Sequence, residues 1–131
     1  MDDKQPIRIL ILDDEPIVCQ RLQPVLEKKG YYVEAFYQSE NALKRFKETP
    51  FHIVVTDLKM KGLDGMQFLT EVKKTAPETE VIVITGFATM ETAKESFRKG
   101  VFDFLAKPFK LGEIQEAIQN AEKKFRENAN R

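Results

Sequence analysis

The chain has 131 residues, enough for one domain with a single core and too few for two. Lysine plus arginine equals aspartate plus glutamate at 21 each, so the formal net charge is +0 and the overall balance calls for neither nucleic acid nor an anionic membrane. Cys19 is the single cysteine, which excludes a disulfide framework and a thiolate cluster for zinc.

The first element is an apolar run over residues 7–12 that closes on the carboxylates Asp13 and Asp14. Pro16 suits the opening turn of a helix that stops at Gly30, with Val18, Leu22, Val25 and Leu26 on one face. Cys19 lies on that helix as a small packing residue, and Pro24 inside it predicts a kink. A short second strand follows at residues 32–36, and Ser39 is placed to cap a helix carrying Ala42, Leu43 and Phe46. The third strand, residues 51–57, ends in Asp57.

Gly62 and Gly65 bracket a turn, after which Met66, Phe68, Leu69 and Val72 have helical spacing that fades near Ala76-Pro77. Residues 80–85 form a fourth strand, β-branched and apolar on both faces as a central parallel strand should be. A helix over residues 90–99 stops at Gly100, and a short fifth strand covers residues 102–105. Beyond Lys107-Pro108 a last helix spans residues 110–127, with Leu111, Ile114, Ile118, Ala121 and Phe125 as its apolar stripe. That stripe is too short to establish a coiled coil. Strands alternating with helices predict an α/β domain, a parallel sheet covered on both faces.

Ligands of such sheets sit at the carboxyl ends of the strands, where strand order reverses. Read by strand end, the polar residues are Asp13 and Asp14, then Asp57, Thr85 and Lys107. Each alone has an ordinary explanation: an acid caps a helix, a threonine ends a strand, a lysine is solvated. Together they provide a site for a hard cation, a carboxylate nucleophile, a hydroxyl donor and an ammonium, the set that phosphoryl transfer to aspartate requires. Carboxylates gathered at one sheet edge repel each other unless a cation lies among them.

Leu12-Asp13-Asp14-Glu15, Asp57-Leu58-Lys59-Met60, Gly62-Leu63-Asp64-Gly65, Thr85-Gly86 and Lys107-Pro108-Phe109 occur in that order. With them the chain resembles the receiver domain of a bacterial two-component response regulator over nearly its whole length. The resemblance implies a flavodoxin-like (CheY-like), doubly wound sheet of five parallel strands in the order 2-1-3-4-5 with five helices. It implies one receiver domain over residues 1–131, with residues 121–131 a helical extension or linker. Lys61 departs from the proline common at that place in the family.

By the same resemblance Asp57 is the phosphoacceptor, taking its phosphoryl group from a phosphohistidine on a sensor histidine kinase or phosphotransfer protein. Magnesium would be held by Asp14, Asp57 and the backbone carbonyl of Lys59, with Asp13 acting through water. Carboxylates without thiolate or imidazole favour magnesium or manganese over zinc. Lys107 would offset charge on the phosphoryl oxygens, Gly86 would keep the approach open, and the Lys107-Pro108 peptide would be cis.

Thr85 and Phe104 would form the switch, the threonine hydroxyl turning to the phosphoryl group and the ring filling the vacated space. Phe104 has no hydroxyl, so its two rotamers would differ in packing alone. The surface of the fourth helix, fifth strand and fifth helix would then change to control an output domain or downstream protein. Lys59 and Phe87 flank the site and should slow attack by water, so self-dephosphorylation is expected to be slow. The stretches 85–89 and 102–109 look most like receivers attached to sigma-54-type activators or to histidine kinases.

The expected protein is thus a signalling domain rather than an enzyme, beyond its own phosphoryl transfer and slow dephosphorylation. It is expected to be cytoplasmic, since no apolar stretch approaches the ~20 residues of a membrane helix and residues 1–6 lack a signal peptide's apolar centre. It is expected to be a monomer or a weak phosphorylation-dependent homodimer, with no direct contact to nucleic acid or membrane. A haloacid-dehalogenase-type phosphatase would need a second aspartate two residues after the nucleophile of its first strand, where Glu15 stands here. A nucleotide or flavin domain would not place Asp13-Asp14-Glu15 where a phosphate loop belongs. A receiver-like interaction module that is never phosphorylated is the alternative. His52, the single histidine, reads as structural rather than as a phosphorelay donor.

Overall fold

The computed structural model describes residues 5–58 and 64–130. Strands β1 (Arg8–Leu12), β2 (Tyr32–Phe36), β3 (Ile53–Thr56), β4 (Glu80–Thr85) and β5 (Asp103–Ala106) alternate with helices α1 (Pro16–Lys28), α2 (Ser39–Glu48), α3 (Gly65–Thr75), α4 (Met90–Arg98) and α5 (Leu111–Ala129). All pairings are parallel, and the order across the sheet is β2-β1-β3-β4-β5. The expected doubly wound sheet and its strand order are therefore those of the protein.

Strand period two explains how one sheet feeds two cores. Ile9, Ile11, Ile53, Val55, Ile82 and Ile84 point to one face, where Val18, Leu22 and Leu26 of α1 and Ile114, Ile118 and Ala121 of α5 cover them. Leu10, Leu12, Val54, Val81 and Val83 point to the other, against Phe46 of α2 and Phe68, Leu69 and Val72 of α3. Both faces are dry, which is why the central strands read as unbroken apolar runs. Truncating a fully buried ring such as Phe68 to alanine should cost ~3–5 kcal/mol.

Local chemistry sets the helix ends. Pro16 occupies the first turn of α1, where a missing N–H costs nothing. The helix runs through Pro24 undivided, and Gly30 ends it at φ +96°, a conformation that favours glycine. The expected cap of α2 is corrected. Gln38 holds the cap position with extended backbone and accepts the Ala42 N–H at 3.1 Å. Ser39 is already helical and buried, its hydroxyl directed at Glu40 Oε2 at 3.4 Å, so it cannot reach the amides ahead of it.

Asp64 caps α3 by accepting from Gln67 N at 2.9 Å, and the Gln67 side chain accepts the Asp64 N–H in return. Thr89 and Thr92 do the same for α4.

The end of α5 is packed against the sheet. Ala121 and Phe125 are buried, the Phe125 ring lies 4.9 Å from that of His52, and Tyr31 donates its hydroxyl to Glu122 at 2.7 Å. His52 Nδ1 accepts the Arg8 N–H at 2.9 Å. Cys19 is buried on α1, and burial pushes its thiol up to about 11. Among the described residues no helix is long and apolar enough to cross a membrane.

Candidate functional site

Parallel strands bring their carboxyl ends to one edge, and the backbone ladder continues just past them. Asp13 N–H donates to Phe36 O at 3.1 Å, Asp57 N–H to Leu12 O at 3.0 Å, and Lys107 N–H to Thr85 O at 2.8 Å. Three polar residues named from strand ends are thus fixed by sheet hydrogen bonds rather than carried on free loops. The Lys107-Pro108 peptide is cis.

The carboxylates of Asp13, Asp14 and Asp57 offer oxygens that all lie within 4.8 Å of one another. Asp13 and Asp57 are buried while Asp14 is exposed, so the cluster opens to solvent on one side. Asp13 Oδ1 accepts the Glu15 N–H at 2.9 Å, and its Oδ2 is buried. Burial raises the Asp13 pKa above the ordinary carboxylate value, against the opposing pull of Lys107 and the Glu15 amide. Carboxylate oxygens gathered this closely are hard ligands that fit a divalent cation, and the cluster is compatible with magnesium. Lys59, expected to add a carbonyl ligand, lies outside the described residues.

Lys107 enters this cluster from across the sheet. Its Nζ donates to Asp57 Oδ2 at 2.9 Å and to Glu15 Oε1 at 2.7 Å. It also lies 2.7 Å from Asp13 Oδ2, a third ion pair. Burial alone would lower this ammonium, but its three carboxylate neighbours outweigh burial and hold it above the ordinary lysine value.

The Thr85 side chain is buried at the end of β4, and its Oγ1 accepts the Phe87 N–H at 3.0 Å. A Cβ added at Gly86 would meet nothing within 4 Å, and Phe87 is half exposed beside it. Phe104 is partly buried, packed against the core face that α2 and α3 cover.

Two residues gain roles that sequence reasoning had not given them. In the sequence Glu15 belongs to the acidic motif and argues against a phosphatase or a phosphate loop, yet in the fold it is hydrogen-bonded to Lys107, 92 positions away. Gly65 was read as a turn residue, yet a Cβ there would collide with Leu58 Cα and with the Asp57 and Leu58 carbonyl oxygens. Its N–H donates to Leu58 O at 2.9 Å, so the start of α3 presses directly on the backbone that carries Asp57. A glycine at the first helical position, directly after a capping aspartate, was the available signal.

A family model described as the response regulator receiver domain matches residues 9–119. The chain belongs to that family. This receiver domain is 35% identical over 115 residues to the transcriptional regulatory protein ZraR of Salmonella typhimurium, a match covering 88% of this chain and 26% of that protein. It spans about a quarter of the length of the curated relatives it matches.

Among solved structures it resembles a response regulator receiver domain protein from Clostridium thermocellum (35% identity, TM-score 0.81, covering 88% of this chain and 93% of that one). It also resembles a response regulator protein from Burkholderia pseudomallei (28% identity, TM-score 0.80, covering 94% and 73%), solved with a phosphorylated aspartic acid, a calcium ion and citrate. Receiver domains of two-component response regulators act as signalling switches, and some of this domain's relatives are transcriptional regulators by name.

Proposed function

We propose that this receiver domain is switched by phosphorylation of Asp57. The observation that carries the reading is the ammonium of Lys107 hydrogen-bonded to a buried carboxylate that two further aspartates crowd. A carboxylate oxygen of Asp57 attacks the phosphorus of a phosphohistidine on a sensor histidine kinase or phosphotransfer protein. The P–N bond breaks, and the released imidazole takes up a proton. Lys107 follows the negative charge onto the phosphoryl oxygens, for which a mobile point charge suffices.

When bound, magnesium or manganese neutralises charge shared between the carboxylates and the phosphoryl oxygens. Asp14, Asp57 and the Lys59 carbonyl would hold it, with Asp13 acting through water.

The Thr85 hydroxyl releases the Phe87 amide and turns to a phosphoryl oxygen, and the Phe104 ring moves into the space it leaves. Typical couplings of this kind are about 1–3 kcal/mol, enough to shift an equilibrium already present. The surface that responds is α4, β5 and α5, where Met90 and Phe97 are exposed large apolar residues. Its target is an output domain or downstream protein. The name of ZraR supports an output in transcription. The domain works in the cytoplasm without touching nucleic acid or membrane itself, as a monomer or weak phosphorylation-dependent homodimer.

Incubation with magnesium and acetyl phosphate, read by intact mass, tests this reading. Wild-type protein should gain one phosphoryl group and Asp57→Asn none.

A further inference from the structure

An ammonium has three N–H groups, and that of Lys107 already meets three carboxylates. The ammonium is hydrogen-bonded to Glu15 and Asp57 and ion-paired with Asp13, so a phosphoryl oxygen that draws Lys107 to itself competes with these contacts. Asp13 and Asp57 are buried and held by the sheet backbone. The Glu15 side chain is 57% exposed, sits on the residue just before α1, and lies outside the group of three acids that could share a cation.

We infer that Glu15 is a positioning residue, a releasable tether that holds Lys107 in the unphosphorylated domain and slows phosphorylation of Asp57 until it lets go. This rests on the reading of Asp57 as phosphoacceptor and adds a regulator to that site.

Two consequences separate a tether from a general field of negative charge. Tethering depends on reach, so shortening the side chain by one methylene while keeping its charge should release Lys107 as fully as removing the charge does. The tether also acts before transfer, because the phosphoryl group has taken its place afterwards. Phosphorylation should therefore change and dephosphorylation should not.

The test is the rate of labelling by acetyl phosphate with magnesium, followed by the rate of phosphoryl loss after the donor is removed, in wild type, Glu15→Gln, Glu15→Asp and Asp57→Asn. The expected result is labelling about 2- to 5-fold faster in both Glu15 variants, the range set by releasing one exposed ion pair, with loss rates unchanged. Labelling of Glu15→Gln at or below the wild-type rate, with Asp57→Asn unlabelled, would overturn the tether and leave Asp57 in its role. Acceleration in Glu15→Gln alone would replace the tether with a charge effect. A wild-type protein that takes no label overturns the reading of Asp57 and the tether with it.

Discussion

Lys107 Nζ reaches Asp57 Oδ2 at 2.9 Å across 50 positions of sequence, and the same ammonium lies 2.7 Å from Asp13. The lysine therefore occupies, in charge, part of the space that a cation and a phosphoryl group would share. Lys107→Met should leave the buried carboxylates facing each other and cost about 3 kcal/mol of stability, as loss of one partner from a buried ion pair does. Added magnesium should restore more stability to the variant than it adds to wild type. Thermal unfolding with and without the metal measures both.

Gly65 and Gly86 make an internal contrast. Gly65→Ala drives a methyl group into the backbone of Asp57 and Leu58, so it should cost at least 1–3 kcal/mol and slow phosphorylation by displacing the acceptor. Gly86→Ala enters open space and should change stability by less than ~0.5 kcal/mol. Urea denaturation of the two variants checks the pair.

His52 gives the fold a dependence on pH. Burial first, then the charges of Arg8 and Arg126, lower its pKa, and its Nδ1 must stay unprotonated to accept the Arg8 N–H. The unfolded chain takes up this proton near pH 6.5, the folded chain only at lower pH. Over that window the unfolded state binds more protons, so stability falls as pH drops from 7.5 through 6.5. His52→Gln should flatten the difference between urea midpoints measured at pH 7.5 and 6.0.

Phe87 is half exposed two residues beyond Thr85, and on the proposed reading it hinders water from reaching the acyl phosphate. Phe87→Glu should speed phosphoryl loss severalfold, as a polar carboxylate replaces an apolar barrier. Slower loss in the variant, measured by intact mass after the phosphodonor is removed, contradicts this role.

Much of the site was legible because a parallel sheet sends its chemistry to one edge, so Asp13, Asp57, Thr85 and Lys107 could be named from where apolar runs stop. The two-sided burial of β4 was legible for the same reason, since Val81 to Ile84 has no polar interruption. The Glu15 contact was not, because an exposed-type acid 92 positions from its lysine leaves no local pattern. Gly65 was visible as a turn and invisible as a contact, which exists only once α3 has docked on the Asp57 backbone. Ser39 misled because serine is favoured at the cap, and propensity cannot separate that position from the buried one beside it.

The central claim is that Asp57 is the residue that takes the phosphoryl group. Intact mass after incubation with acetyl phosphate and magnesium, run beside Asp57→Asn and a chelated control, tests it most directly. The account predicts one added phosphoryl group on the wild type, none on the variant and none without the metal. No added mass on the wild type, or equal labelling of Asp57→Asn, would contradict it.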